Sequence, residues 1–186
     1  DRARQIAAWI GPFLVPPVVD VLGGDFSLLS EVVAQGIPID QVVGCERASA
    51  YGQEATTRDV PFVCHDVGEE MALPVAQGGT ALICAVLHHE PSPKALLDSV
   101  VATGAESWLV IENCIDDQND EEFHLFVDEF FNRGLNQFNI PCVPEHRTAE
   151  GWRHLLSQYG SVVYEETLNG IAGIPFPYTL FHVNRA

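Results

Sequence analysis

Residues 18–26 read Val-Val-Asp-Val-Leu-Gly-Gly-Asp-Phe, and the predicted fold class follows from this stretch. A short apolar run follows Pro17 and ends at two glycines, which is the pattern of a buried β-strand and a tight turn. Residues 27–35 then carry apolar side chains at helical spacing, and Gly36 ends the helix. A buried strand followed by a glycine turn and a helix is typical of an α/β protein.

The same alternation continues along the whole chain. Further strands are predicted at 41–46, 60–65, 80–87, 108–114, 161–168 and 178–184, and the remaining helices at 2–14, 92–102 and 148–159. Strands that are apolar throughout and separated by helices indicate a parallel sheet covered on both faces. The predicted fold class is therefore α/β, with a Rossmann-like doubly wound sheet. Because no internal repeat interrupts it, residues 1–186 are predicted to form a single domain.

The segment 115–160 differs from the rest of the chain. An acidic stretch at 116–122 precedes a stripe of phenylalanines at helical spacing, namely Phe123, Phe126, Phe130 and Phe131. We interpret the stripe as the face of a helix that is packed in the core or in a lid on the core. The segment is accordingly predicted to be a helical insertion that covers the substrate side of the domain.

The composition limits the partners that the protein can have. Acidic residues number 26 against 9 basic ones, giving a formal net charge of −17. A surface this negative repels nucleic acid and anionic membranes, so neither is predicted as a partner. The five cysteines are widely spaced and form no C-x-x-C pair, which favours free thiols in a reducing, cytoplasmic compartment. No signal peptide is expected, and the chain starts at Asp1 rather than at Met.

Acidic residues mark the ends of the first three predicted strands. Asp20 lies in the first strand, Glu46 ends the second, 22 residues after Gly24, and Asp66 follows the third. In doubly wound folds, ligands bind at the carboxyl ends of the strands. An acid in the position of Glu46 accepts hydrogen bonds from ribose hydroxyls, and Asp66 is placed to accept one from an adenine amino group. The pattern predicts a nucleoside site.

The glycine turn indicates which nucleoside ligand binds there. A dinucleotide needs the G-x-G-x-x-G loop that holds its pyrophosphate, whereas this loop has only Gly23-Gly24 and then Asp25. Carboxylates at Asp20 and Asp25 repel a pyrophosphate but attract a cation, by roughly 4 kcal/mol at 4 Å in an effective dielectric of about 20. S-adenosylmethionine carries two positive charges and no phosphate, so it is favoured over NAD. An NAD-type oxidoreductase is correspondingly disfavoured.

Residues 18–115 resemble a class I S-adenosylmethionine-dependent methyltransferase. The family's first motif is similar to 18–26, and its ribose-binding acid falls on Glu46. Its adenine-side acid falls on Asp66, followed by Leu73-Pro74, and the motif after its fourth strand is similar to Val-Leu-His-His-Glu-Pro at 86–91. Several later residues, from Phe130 to Gly160, are similar to the C-terminal half of bacterial small-molecule members.

The resemblance implies a seven-stranded sheet whose last strand is antiparallel, with S-adenosylmethionine as the cofactor. It implies transfer of a methyl group to an O, N or C nucleophile of a small-molecule acceptor. The residues assigned to cofactor binding are Asp20, Gly23, Gly24, Asp25, Glu46, Asp66, Val67 and Ala85. A homodimer and other oligomeric states are left open.

The glycine turn departs from the family pattern at two positions. The family loop runs D-x-G-x-G-x-G, and Leu22 and Phe26 stand where its first and last glycines would be. This departure leaves a second interpretation open, in which the chain is a catalytically degenerate relative that serves as a binding or regulatory partner.

Candidate catalytic residues follow the fourth predicted strand. His89 and His88 are assigned as catalytic, because a histidine near the methyl group can take a proton from the acceptor. The alternative for this pair is a structural role in the following turn. Substrate contacts are assigned to Glu90, His124, His146 and Arg147, and Arg147 is as well explained by pairing with a surface acid. No metal is predicted, since adjacent residues of an extended segment point to opposite sides.

Overall fold

The computed structural model describes residues 2–47, 60–68, 70–116, 121–135, 140, 142–143, 145–174 and 176–185. Seven strands form one sheet: β1 Val18–Val21, β2 Val42–Glu46, β3 Val63–Asp66, β4 Thr80–Cys84, β5 Ser107–Asn113, β6 Gly160–Leu168 and β7 Tyr178–Arg185. The α-helices are α1 Arg2–Ile10, α2 Ser27–Ala34, α3 Pro93–Ala102, α4 Glu121–Glu129 and α5 Ala149–Leu156. No helix of the described residues is long and apolar enough to cross a membrane.

The strand order is β3-β2-β1-β4-β5-β7-β6. Strands β1 to β5 pair in parallel, whereas β7 runs antiparallel to both β5 and β6. This confirms the predicted doubly wound sheet of seven strands with an antiparallel last strand. The chain order reverses between β1 and β4, so a crevice is expected where these two strands end.

Both faces of the sheet are covered, which explains why its central strands are apolar throughout. On one face, α3 and α5 bury Leu97 and Trp152 against β4 and β5. On the other face, α1 and α2 bury Ile6 and Leu29. Every residue of β5 is buried, Glu112 included. The two helix layers therefore cover the central strands, and a ligand can reach these strands at their ends.

Several predicted boundaries are displaced in the structure. The first helix ends at Ile10, where a 3₁₀ turn at Gly11–Phe13 replaces the predicted continuation. The strand predicted at 80–87 ends at Cys84, and Leu87–His89 forms a 3₁₀ turn. Leu87 is nevertheless fully buried, because a turn over the sheet edge can bury apolar side chains as well as a strand can.

The interpretation of the phenylalanine stripe as buried is wrong. Phe123, Phe126, Phe130 and Phe131 are between 48% and 62% exposed. They occupy α4 and the π-helical turn Phe130–Leu135 that follows it. Periodicity shows that a helix has one apolar face, but it does not show whether another element of the fold covers that face.

The turn after β1 keeps a left-handed backbone at three positions. Leu22, Gly24 and Phe26 have φ angles of 54°, 62° and 58°. These are the three positions of glycine in the D-x-G-x-G-x-G pattern, so the loop has the conformation that glycine favours despite the two substitutions. A left-handed non-glycine residue costs roughly 1–2 kcal/mol, which packing elsewhere has to offset.

Phe26 provides that packing. Its side chain is fully buried in the core, and its ring meets Phe62 edge-on at 6.1 Å between centroids. The ring lies over Gly44 of β2, where an added Cβ would be 2.7 Å from Phe26 Cε1. Phe26 thus points beneath the loop into the core. It is absent from the residues that line the crevice at the strand ends.

The contact between Phe26 and Gly44 predicts non-additive mutations. Phe26→Ala should lower the free energy of unfolding by about 3–5 kcal/mol through the cavity it leaves, and Gly44→Ala by about 1–3 kcal/mol through overpacking. Because the first change makes room for the second methyl group, the double variant should lose less than the sum. Urea unfolding measures all three, with Gly134→Ala as a control whose new Cβ would have no neighbour nearer than 3.7 Å. Strictly additive losses would contradict the packing described here.

Candidate functional site

A cavity of about 600 Å³ opens where β1, β2 and β4 end. The turn after β1 forms one wall with Leu22, and the segment after β4 forms the opposite wall with Val86. Residues of α4 and the following turn, among them Val127 and Phe131, complete the lining. Part of the segment 115–160 therefore lies along the cavity, and its role as an insertion on the substrate side stays a prediction.

Glu46 ties the end of β2 to the glycine turn. One carboxylate oxygen accepts a hydrogen bond from the Gly24 N–H at 2.7 Å, and the other accepts one from the Arg47 N–H at 2.7 Å. Glu46 is buried, and burial outweighs these hydrogen bonds and raises its pKa to about 7. The carboxylate faces the cavity, in the place expected of a ribose-binding acid.

Asp20 is a buried carboxylate with one unsatisfied oxygen. Its Oδ2 atom has no hydrogen-bond partner among the described residues. Gly23 stands directly over it, and a Cβ at Gly23 would lie 2.2 Å from that oxygen, so only glycine fits. Burial, helped by the nearby charges of Glu46 and Asp25, raises the pKa of Asp20 to about 8. The cavity therefore has a floor that favours a positively charged or hydrogen-bond-donating ligand.

Two further acids at the cavity have structural partners. Asp25 accepts hydrogen bonds from the backbone N–H and the hydroxyl of Ser27, which holds the first turn of α2. Glu90, assigned to the substrate, forms a bidentate ion pair with Arg47, at 2.6 and 3.0 Å. This pair joins the end of β2 to the segment after β4 across the cavity wall, and both residues line the cavity.

The remaining cofactor-binding assignments divide into two groups. Ala85 lines the cavity and has a left-handed backbone, with φ of 55°. Asp66 is exposed at the end of β3, where it accepts a hydrogen bond from the Gly68 N–H, and Val67 is buried in the core. Neither Asp66 nor Val67 belongs to the lining of this cavity. The adenine-side assignment stays a prediction.

His88 lines the cavity and is held in place by Glu112. Its Nδ1 atom lies 2.6 Å from Oε2 of Glu112, and the other Glu112 oxygen accepts hydrogen bonds from the N–H groups of Val86 and Leu87. Burial disfavours the charged ring, but the Glu112 carboxylate outweighs it and raises the pKa of His88. Glu112 thus fixes the direction of the ring and leaves Nε2 facing away from β5.

The two adjacent histidines lie on the same side of the chain. The expectation that they point to opposite sides is wrong, because Leu87–His89 is a 3₁₀ turn rather than an extended strand. The ring centroids of His88 and His89 are 4.0 Å apart. Both histidines line the cavity together with Asp128 of α4, and one ligand atom from each of the three lies within 4.8 Å of the other two.

Behind this group lie the other two histidines assigned to the substrate. His146 is buried and its Nε2 atom is 3.0 Å from Oδ2 of Asp128. His124 is buried as well, stacked on Phe176 at 4.0 Å, and burial together with His146 lowers its pKa to about 4. Neither ring belongs to the cavity lining, so a direct substrate contact stays a prediction.

Arg147 lies elsewhere. It forms an ion pair with Glu145 at 3.0 Å and its guanidinium lies over the Trp152 ring at 5.3 Å. It is not among the residues that line the cavity. This placement agrees with the alternative in which Arg147 pairs with a neighbouring acid, rather than with a substrate carboxylate.

Four residues at or behind the cavity were missed from the sequence. Asp128, Glu112, Arg47 and Asn113 all contribute to its walls or support them. Of these four, only Glu112 could have been predicted from the sequence, since an acid inside the otherwise apolar run 108–114 requires a buried partner. Asp128 reaches the cavity only because α4 folds back over the strand ends, which no local pattern indicates.

Several solved structures with the same architecture are methyltransferases. Human N-acetylserotonin methyltransferase in complex with SAM matches with a TM-score of 0.63 at 19% identity, over 100% of this chain and 51% of that one. A 1,6-didemethyltoxoflavin-N1-methyltransferase of Burkholderia thailandensis, with bound S-adenosylhomocysteine, matches with a TM-score of 0.63 at 14% identity, over 99% of this chain and 78% of that one. A putative O-methyltransferase of Nostoc punctiforme matches with a TM-score of 0.62 at 14% identity, over 96% of this chain and 55% of that one.

The chain has the class I methyltransferase fold. Several of these solved proteins are longer, and the chain spans about half the length of the human and Nostoc enzymes. No protein-family profile and no curated protein matches the sequence. The likeness therefore lies in the fold, and the individual side chains have to be judged by their own chemistry.

The buried carboxylate of Asp20 predicts a pH-dependent stability. Because its pKa is raised from 3.8 to about 8, the folded protein holds a proton that the unfolded chain releases above its ordinary pKa. The free energy of unfolding therefore falls as pH rises from about 4 to about 8. Asp20→Asn removes the charge, so we expect it to raise the melting temperature at pH 8, by about 2–4 °C per kcal/mol gained, and to change it little at pH 4.

Differential scanning fluorimetry across this pH range measures the effect. Asp40→Asn is the matched control, because it removes one negative charge from an exposed site. An Asp20→Asn variant that is destabilised at pH 8, or stabilised equally at both pH values, would show that Asp20 is compensated in the folded protein.

Proposed function

We propose that the protein is an S-adenosylmethionine-dependent methyltransferase that acts on a small molecule. The single observation that supports this most strongly is the pair of buried carboxylates, Asp20 and Glu46, at one cavity of the class I fold. Burial raises the pKa of both acids despite the hydrogen bonds that Glu46 accepts, and buried acids with raised pKa values are typical of a site whose ligand supplies further partners.

The residues fit the cofactor in charge and in shape. Glu46 would accept hydrogen bonds from the ribose hydroxyls, and Asp20 with Asp25 would face the positively charged part of the molecule. The missing side chain at Gly23 lets the ligand approach the loop backbone closely. A dinucleotide fits less well, since a pyrophosphate would meet the uncompensated Asp20 carboxylate.

When bound, S-adenosylmethionine supplies an electrophilic methyl carbon, whose bond to sulfur breaks as the acceptor's lone pair forms the new bond. The contribution of the protein is to hold both reactants in line and to exclude water. The rigid wall formed by Val86, Leu87 and His88 is suited to this, because Glu112 binds all three of them from behind.

The acceptor is proposed to lie between the histidine turn and α4. His88 and His89 remain the proposed catalytic residues, since they line the cavity next to Asp128. A protonated nucleophile has to lose its proton during transfer, and this group is where the cavity concentrates ionisable side chains. Phe131 and Val127 add apolar surface for the body of a small acceptor.

The alternative of a catalytically degenerate relative loses its main argument. It depended on Leu22 and Phe26 filling the cofactor cavity. Phe26 is instead buried under the loop, and Leu22 is partly buried against the core at the cavity wall. The loop backbone therefore leaves the cavity open.

Calorimetric titration with S-adenosylhomocysteine tests the proposal. Glu46→Gln should weaken binding about 10- to 100-fold, because a hydrogen bond to a charged group contributes roughly 1.5–3 kcal/mol. Glu106→Gln, an exposed acid that precedes β5 at the other end of the sheet, is the matched control and should bind like the wild type. A wild-type protein that binds NAD but no S-adenosylhomocysteine would overturn the proposed function, and an unchanged Glu46→Gln variant would remove the ribose assignment.

A further inference from the structure

Three side chains at the acceptor end of the cavity are arranged like the ligands of one metal ion. They are His88 and His89 of the 3₁₀ turn and Asp128 of α4, and their ligand atoms lie within 4.8 Å of one another. His88 Nε2 is 3.6 Å from Oδ2 of Asp128. Ligands at 2.0–2.2 Å from a common ion lie roughly 3.0–3.5 Å apart, so a small adjustment of these side chains completes the site.

The buried environment of His88 supports this arrangement. A metal-binding histidine commonly donates its second ring N–H to a carboxylate, which fixes the tautomer and the direction of the ring. His88 has this contact, since Nδ1 lies 2.6 Å from the fully buried Glu112. The geometry leaves Nε2, the atom nearer to Asp128, as the electron-pair donor.

The polar atoms around Asp128 are poorly satisfied in the described structure. Asp128 Oδ2 and both ring nitrogens of His146 are buried and form no hydrogen bond with any described residue. The ring nitrogen nearest to Asp128 Oδ2 is His146 Nε2, at 3.0 Å, and this ion-pair contact is the closest that the described residues offer to that oxygen. Burial of unsatisfied polar atoms is costly, and a cation next to Asp128 would remove much of that cost for the carboxylate.

We propose that His88, His89 and Asp128 bind one divalent transition-metal ion. Two imidazoles and one carboxylate favour ions such as Zn²⁺, Fe²⁺ or Co²⁺ over Mg²⁺, which prefers oxygen ligands. Glu112 and His146 are positioning residues behind the site. All three ligands line the cavity, so the ion keeps open coordination positions toward it.

The consequence for the reaction rests on the proposed function. An ion that is open to the cavity lowers the pKa of a hydroxyl that binds to it, so a neutral alcohol or phenol loses its proton to solvent near neutral pH. With the ion bound, His88 and His89 act as its ligands instead of as proton acceptors. The acceptor class is therefore a small molecule with an ionisable oxygen. Metal binding itself does not depend on the cofactor.

The test is calorimetric titration of the full chain, freed of metal with a chelator, with Zn²⁺, Co²⁺ and Mg²⁺ in the absence of S-adenosylmethionine. We expect one Zn²⁺ or Co²⁺ per chain, the absorption spectrum of Co²⁺ bound by nitrogen and oxygen, and much weaker binding of Mg²⁺. His89→Ala and Asp128→Asn should each abolish the stoichiometric site. Glu112→Gln should weaken it about 10- to 100-fold, as expected of a positioning residue.

His154→Ala is the matched control, because His154 is exposed on α5 and should leave the stoichiometric site intact. The far-ultraviolet circular dichroism spectrum of each variant reports whether its fold is kept, independently of the metal and of the cofactor. The inference is overturned if the wild type binds no ion, or if it binds the same number of ions after His89→Ala and Asp128→Asn. Metal binding without cofactor binding would overturn the proposed function instead and leave the metal site standing.

Discussion

The turn after β1 buries the carboxylates of Asp20 and Glu46, and the chemistry of the site follows from this burial. Gly23 lies so close over Asp20 that no side chain fits, and the Gly24 N–H holds Glu46 at 2.7 Å. Both acids have raised pKa values because they are buried without enough compensation. Burial of these two acids lowers the free energy of unfolding, as is expected where a ligand supplies the missing interactions.

The loop also shows that backbone conformation, rather than glycine itself, defines the site. Leu22 and Phe26 keep the left-handed angles that glycine adopts easily. The cost is offset at Phe26 by a fully buried ring over Gly44, a glycine on the next strand that makes room for it. Phe26 thus stands where the family pattern has a glycine, and Gly44 of β2 makes room for its ring, so the cavity remains open.

The sequence was sufficient for the sheet and for placing Asp20 and Glu46 at one cavity, because both follow from local patterns. Apolar runs locate strands, and residues at strand ends such as Asp20 and Glu46 meet at one edge by topology alone. The acceptor side was less predictable. Asp128 reaches the cavity through the path of α4, and the exposure of Phe126 depends on which elements cover that helix. Even the two histidines were misjudged in direction, since a 3₁₀ turn and a strand have the same apolar signal when both are buried.

The number of protons released on ligand binding tests whether Asp20 and Glu46 hold the cofactor. If the base of the cavity holds the cofactor through the carboxylate forms of Asp20 and Glu46, binding of S-adenosylmethionine at pH 7 should release roughly 1.4 protons, given pKa values of about 8 and about 7 before binding. Calorimetry in buffers of different ionisation enthalpy counts the released protons, and Asp20→Asn should reduce the count. Tight binding with no proton release would contradict the account, because the two acids would then take no part in holding the ligand.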